Sequence, residues 1–105
     1  MTDIVNTIKG AMRMSIASDI IDSDIYNCVQ ACKVDLTLAG VKKLDDSDPL
    51  VLAAVTAYVK ADFNYNNLGE RYKLTYDTLK TRLALAGKYN KEVEDDNRDN
   101  ANKQN

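Results

Sequence analysis

The stretch DPLVLAAVTAYVKADFNYNN, residues 48–67, decides the fold. Asp48 followed by Pro49 is a strong helix start: a carboxylate able to accept from free backbone N–H groups, then a residue whose fixed φ suits the first turn. From Leu50 to Ala61 almost every position is apolar, and only Thr56 and Lys60 form a narrow polar strip. A helix apolar nearly all round needs neighbours on most sides. In so short a chain, part of that surface is left for another subunit. The helix is expected to run from about Pro49 to Phe63, and the asparagine run from Asn64 to Asn67 turns the chain.

Helical spacing continues on both sides. Ile4, Val5, Ile8, Ala11 and Met12 predict a first helix over 3 to about 14, capped by Thr2 or Asp3. SIASDIID, 15–22, reads as a connector, with Ile16, Ile20 and Ile21 anchoring it to the core. A second helix is expected from about Ser23 to Ala39, capped by Asp22 or Ser23. Its stripe is Ile25, Val29, Cys32 and Leu36, and Gly40 supplies a left-handed C-cap. After the corner, Tyr72, Tyr76, Leu79, Leu83 and Ala86 form the packing seam of a helix over about 69–86, with Gly87 as its C-cap. Leu74 and Leu85 lie off that seam. The chain therefore reads as all-α: a small bundle of about four helices in one domain, 1–89. A polar tail, 90–105, is too poor in apolar residues to offset its ordering entropy alone, and is disordered or ordered by a partner.

Composition narrows the function. The chain has 105 residues and a formal net charge of -2, which argues against general nucleic-acid binding. No apolar run is long enough to span a membrane. The start, MTDIVNTIKG, lacks signal-peptide regions, so a cytosolic origin is expected. Histidine is absent, which removes the commonest general base and metal ligand. Cys28 and Cys32 supply half a metal site at most and are read as small buried residues. Asp45, Asp46 and Asp48 lack the glycine and distal glutamate of a calcium loop and are read as caps on a solvated loop. No cofactor and no metal site is implied.

The one constellation with chemistry to weigh is the corner: Tyr58, Lys60, Asp62, Phe63, Tyr65 and Arg71. Tyr58 and Asp62 share a helix face. Asp62 stands near a helix C-terminus, where the dipole disfavours an anion, so a cation partner is expected from Arg71 or Lys73. A hydrogen-bonded corner is the favoured reading; an enzyme using Lys60 or Asp62 is the alternative.

From Lys9 to Tyr89 the chain resembles the head–tail connector proteins of long-tailed phages, also called adaptor, head-completion or DNA-packaging proteins. The resemblance rests on Lys9 with Met12-Arg13-Met14, then Asp22-Ser23-Asp24-Ile25 leading to Ala31-Cys32-Lys33, Asp35-Leu36 and Gly40-Val41. It continues with Asp48-Pro49-Leu50, Tyr58-x-Lys60-Ala61-x-Phe63-x-Tyr65, Tyr76-x-x-Leu79-Lys80, Leu83, Leu85 and Tyr89. Asn64 stands where relatives often have glycine, and Cys32 where they have alanine. The resemblance implies a structural, non-enzymatic virion protein, assembled in the host cytoplasm. It implies a homo-oligomeric ring, dodecameric in relatives, that docks beneath the portal protein and meets a stopper or tail-completion protein. DNA would pass through the channel without sequence-specific binding. In relatives C-terminal segments reach a neighbouring connector component, so Val93, Glu94, Asp95, Asp96 and Arg98 are expected to meet the portal. The alternative is a small dimeric helical regulator or interaction module of phage or bacterial origin.

Overall fold

The computed structural model describes residues 3–90. Its helices are α1 (Asp3–Ala11), α2 (Asp19–Leu38), α3 (Pro49–Asp62), α4 (Gly69–Leu85) and the single turn α5 (Gly87–Asn90); a 3-10 turn, Tyr65–Asn67, joins α3 to α4. No strand occurs among the described residues. The all-α expectation holds, with four main helices. Thr2 and the proposed portal-binding residues Val93, Glu94, Asp95, Asp96 and Arg98 lie outside the described residues.

α3 is the hub and packs against α1, α2 and α4. Asp48 starts it as expected: its Oδ1 accepts from Leu50 N at 2.9 Å and Val51 N at 3.3 Å. Val51, Val55 and Val59 are fully buried. Each such side chain contributes about 1.5–3 kcal/mol of transfer free energy. They meet Val5 and Ile8 of α1, Ile25, Val29, Cys32 and Leu36 of α2, and Tyr76 and Leu83 of α4 in one core. Cys28 and Cys32 are buried there as free thiols, as the sequence suggested.

α1 ends earlier than expected. Arg13 takes the left-handed conformation, φ 57°. The bonds Met14 N to Lys9 O and Arg13 N to Gly10 O close the helix in a Schellman turn. α2 instead begins four residues before the expected Ser23. Ser18 is the cap; its backbone is extended and its Oγ accepts from Ile21 N at 3.3 Å. Asp22 is therefore not a cap. It sits in the first turn and pairs with Lys9 of α1 at 2.8 Å. The earlier start also corrects the anchoring isoleucines. Ile16 and Ile20 are 59% and 75% exposed, and only Ile21 packs on the core. Ile20 lies five residues before buried Ile25, roughly 140° around the helix at about 100° per residue, so it faces outward.

At the end of α2, Gly40 has φ 106°, and Val41 N bonds back to Leu36 O. Gly87 is not a left-handed cap. α4 closes on Ala86 in an extended conformation, and Gly87 opens α5. That turn brings Tyr89 back: its carbonyl accepts from Lys42 N and Lys43 N, and its hydroxyl donates to Asp48 at 3.0 Å. The α3 cap thus also holds the chain's return. Asp45 is occupied by Ser47, and Asp46 by Lys33 at 2.7 Å, so the acidic loop holds caps and ion pairs.

A side chain at Gly40 would meet nothing within 4 Å. Gly40→Ala should therefore cost only the left-handed backbone penalty, about 1–2 kcal/mol, read as a lower urea midpoint with unchanged slope.

Candidate functional site

The corner is built from asparagines in the left-handed region. Asn64 follows the C-cap Phe63 with φ 50° and ψ 46°. Its Oδ1 accepts from Gly69 N at 2.9 Å, so one side chain both ends α3 and fixes the first residue of α4. Asn66 and Asn67 are also left-handed, at φ 56° and 61°. Asparagine tolerates this conformation better than other non-glycine residues because its short amide bonds locally. Gly69 is needed for a different reason: a Cβ there would lie 2.7 Å from Asn64 Oδ1 and 3.1 Å from Ala61 O.

α3 separates the predicted site into two halves. Lys60 turns to one side, where its Nζ is 5.3 Å from the ring centroids of both Tyr65 and Tyr72. The two rings are 6.2 Å apart and tilted by 50°. Lys60 is thus held by two aromatic faces and does not pair with Asp62. Phe63 and Tyr65 pack partly buried against the core, as wedges at the corner. Tyr58 lies on the other side and meets Tyr76 edge to face, with centroids 5.0 Å apart. Asp62 is exposed on that side, and the cation expected beside it is absent: neither Arg71 nor Lys73 bridges to it. The end of α3 is open to water, which screens the carboxylate from the helix dipole. Its neighbour is the buried Cys28 thiol.

A cluster that the sequence did not reveal lies next to Tyr58. Tyr76 Oη donates to Asp35 Oδ2 at 2.6 Å, and Lys80 Nζ donates to the same oxygen at 3.0 Å. Lys80 also stands 5.4 Å from the Tyr76 ring centre. The residues are 41 and 45 positions apart, so only the packing of α2 and α4 on α3 brings them together. Together with Tyr58, Asp62 and Lys73 they line a cleft of about 400 Å³.

Burial and hydrogen bonding shift several groups in and beside this cleft. The Tyr76 hydrogen bond and Lys80 hold Asp35 below its ordinary pKa. Burial, with the Asp35 hydrogen bond, pushes Tyr76 up. Burial raises Tyr58 as well. Both thiols are pushed up to about 12, Cys28 by burial and Asp62, Cys32 chiefly by burial. Every shift moves its group away from neutral pH, whereas a general acid or base works best near it. The cluster instead ties two helices together.

On the Lys60 side, α3 and α4 enclose an apolar groove of about 470 Å³. Pro49, Leu52, Ala53 and Leu79 line it, and Tyr72 and Lys60 stand at one end. Outside the groove, α2 leaves Val34 59% and Leu38 81% exposed, and α4 leaves Leu74 69% and Leu85 79% exposed. The site is therefore a set of surfaces around a rigid corner.

The family comparison agrees with that character. Residues 4–90 match the family described as phage connector protein. The chain belongs to that family. The matched span runs from the first turn of α1 to the last residue of α5, so it covers the whole helical bundle. Searches of curated proteins and of solved structures gave no match. The connector is thus a virion-associated structural protein. No helix among its described residues is long and apolar enough to cross a membrane.

Two measurements test this account of the corner. Tyr76→Phe removes a hydrogen bond to a carboxylate that is 39% exposed, so the expected loss is modest, about 1 kcal/mol after screening. Asp35 is depressed in the folded state, so its contribution is complete above the unfolded value near 4 and fades as pH falls below it. The deficit of Tyr76→Phe should therefore shrink on acidification in urea titrations at pH 7 and pH 3. Gly69→Ala must displace the Asn64 amide and should destabilise by about 1–3 kcal/mol, with loss of the Gly69 amide's hydrogen-exchange protection.

Proposed function

We propose that the connector is an adaptor that assembles as a ring beneath the portal, extends the DNA channel and offers its far face to a stopper or tail-completion protein. The role is structural and not catalytic. The observation that carries it is the family match across the entire bundle, joined to the amount of apolar surface left uncovered. Isolated exposed apolar residues are ordinary on a monomer, but a groove and two helix faces of this kind are suited to partners.

Charge supports passive contact with DNA. The tail, 91–105, holds five acidic and three basic residues, so the formal charge of -2 resides there and residues 1–90 are neutral. A surface without a basic excess releases few counterions and lets a duplex slide. The acidic tail is the segment proposed to reach the portal. Its starting point is fixed, because Tyr89 is held by Lys42, Lys43 and Asp48.

The decisive measurement is particle size with and without purified portal, by light scattering and negative-stain electron microscopy. A ring in either condition supports the reading; a stable dimer in both overturns it. Truncation after Asn90 should leave the helical bundle folded, read as a retained cooperative urea transition, and abolish portal capture; unchanged capture would remove the tail from the proposal.

A further inference from the structure

The α3–α4 groove and the outer face of α2 have reciprocal layouts of apolar and charged residues. On α2 the positions Ile20, Asn27, Ala31, Val34 and Leu38 fall on one side, opposite the buried Ile25, Val29, Cys32 and Leu36. Toward the C-terminal end this face is apolar, with Val34 59% and Leu38 81% exposed. Toward the N-terminal end its nearest charge is Asp24, which is exposed. The groove has the reciprocal layout. Its Pro49, Leu52 and Leu79 end is apolar, and its other end carries Lys60, with exposed Arg71 one turn before Thr75 on the same face of α4.

The lengths also agree. From Asp24 to Leu38 is roughly 21 Å at about 1.5 Å per residue. From Lys60 to Pro49 is roughly 16 Å on the same rise, and the reach of the Asp24 and Lys60 side chains covers the difference. Within one copy the two surfaces cannot meet, because the opposite face of α2 is already buried against α3.

We propose that the outer face of α2 in one copy docks into the α3–α4 groove of a second copy, antiparallel to α3. Val34 then lies over Leu52 and Ala53, Leu38 over Pro49 and Leu79, and Asp24 faces Lys60 and Arg71. The two surfaces differ, so the contact is head-to-tail and propagates from copy to copy, closing into a ring where the rotation allows. This rests on the ring reading above and names the residues that would build it. Lys60 is central because Tyr65 and Tyr72 hold its charge at the groove end without neutralising it.

Engineered thiols test the contact. In the intact chain, Val34→Cys combined with Ala53→Cys places one half of the contact on each side of every copy. Mild oxidation should give a ladder of disulfide-linked multimers. Mixing the two single variants should give a linked dimer and nothing larger. Leu74→Cys with Ala53→Cys, equally exposed but outside the contact, should link at least tenfold more slowly. Asp24→Lys should slow the ladder, and adding Arg71→Glu should restore it in part. A ladder no faster than the Leu74 control overturns the proposal. Rings on the portal without Val34–Ala53 linkage would overturn this contact and leave the adaptor reading standing. Fast linkage with only dimers on the portal would do the reverse.

Discussion

The structure depends on the need to cover α3. A helix with apolar residues on nearly every side cannot lie on a surface, because each exposed valine or leucine forfeits a transfer free energy comparable to a large share of a small domain's net stability. Three helices therefore gather round it. α1, α2 and α4 all pack on it, and Val51, Val55 and Val59 become the centre of a single core. The devices that hold the bundle act at the ends of this helix. Asp48 caps its start and receives the returning Tyr89, while Asn64 closes its end and fixes the start of α4.

The coverage of α3 is incomplete. Four helices in a chain of this length leave a groove along α3 at Leu52 and Ala53. The same economy leaves the outer side of α2 bare at Val34 and Leu38. Uncovered apolar surface that would be a liability in a solitary protein is suited to a component built to sit among copies and neighbours. The Asp35, Tyr76 and Lys80 cluster joins α2 to α4, and the shifts of Asp35 and Tyr76 lead away from physiological pH.

Lys60 and Asp62 illustrate how a short motif can mislead. Two residues apart, they look like partners or a site. On a helix that spacing places them about 160° apart, so they belong to different surfaces. Lys60 lies between two tyrosines at the groove, and Asp62 is open to water beside the polar cleft. The helix between them divides what the sequence sets side by side.

Much of this fold was legible in the chain. The Asp48–Pro49 start, the Gly40 cap, the core stripe of α2, the α4 seam and the asparagine corner all follow from local chemistry, in which one residue's conformation or periodicity carries the signal. Boundaries set by competing local choices were less clear. The α2 cap was expected at Asp22 or Ser23; it lies at Ser18, and Asp22, in the first turn, pairs with Lys9 on another helix. Gly87 resembled a helix end but served as the start of a turn whose purpose, docking Tyr89, depends on residues some forty positions away. The same holds for Asp35, Tyr76 and Lys80, for the parting of Lys60 from Asp62 and for the groove itself. Sequence by itself determined which helices form and which faces they bury, because periodicity and capping act within a few residues. Only the tertiary structure decided which charges meet and which surfaces stay open, because those depend on how separate helices are brought together.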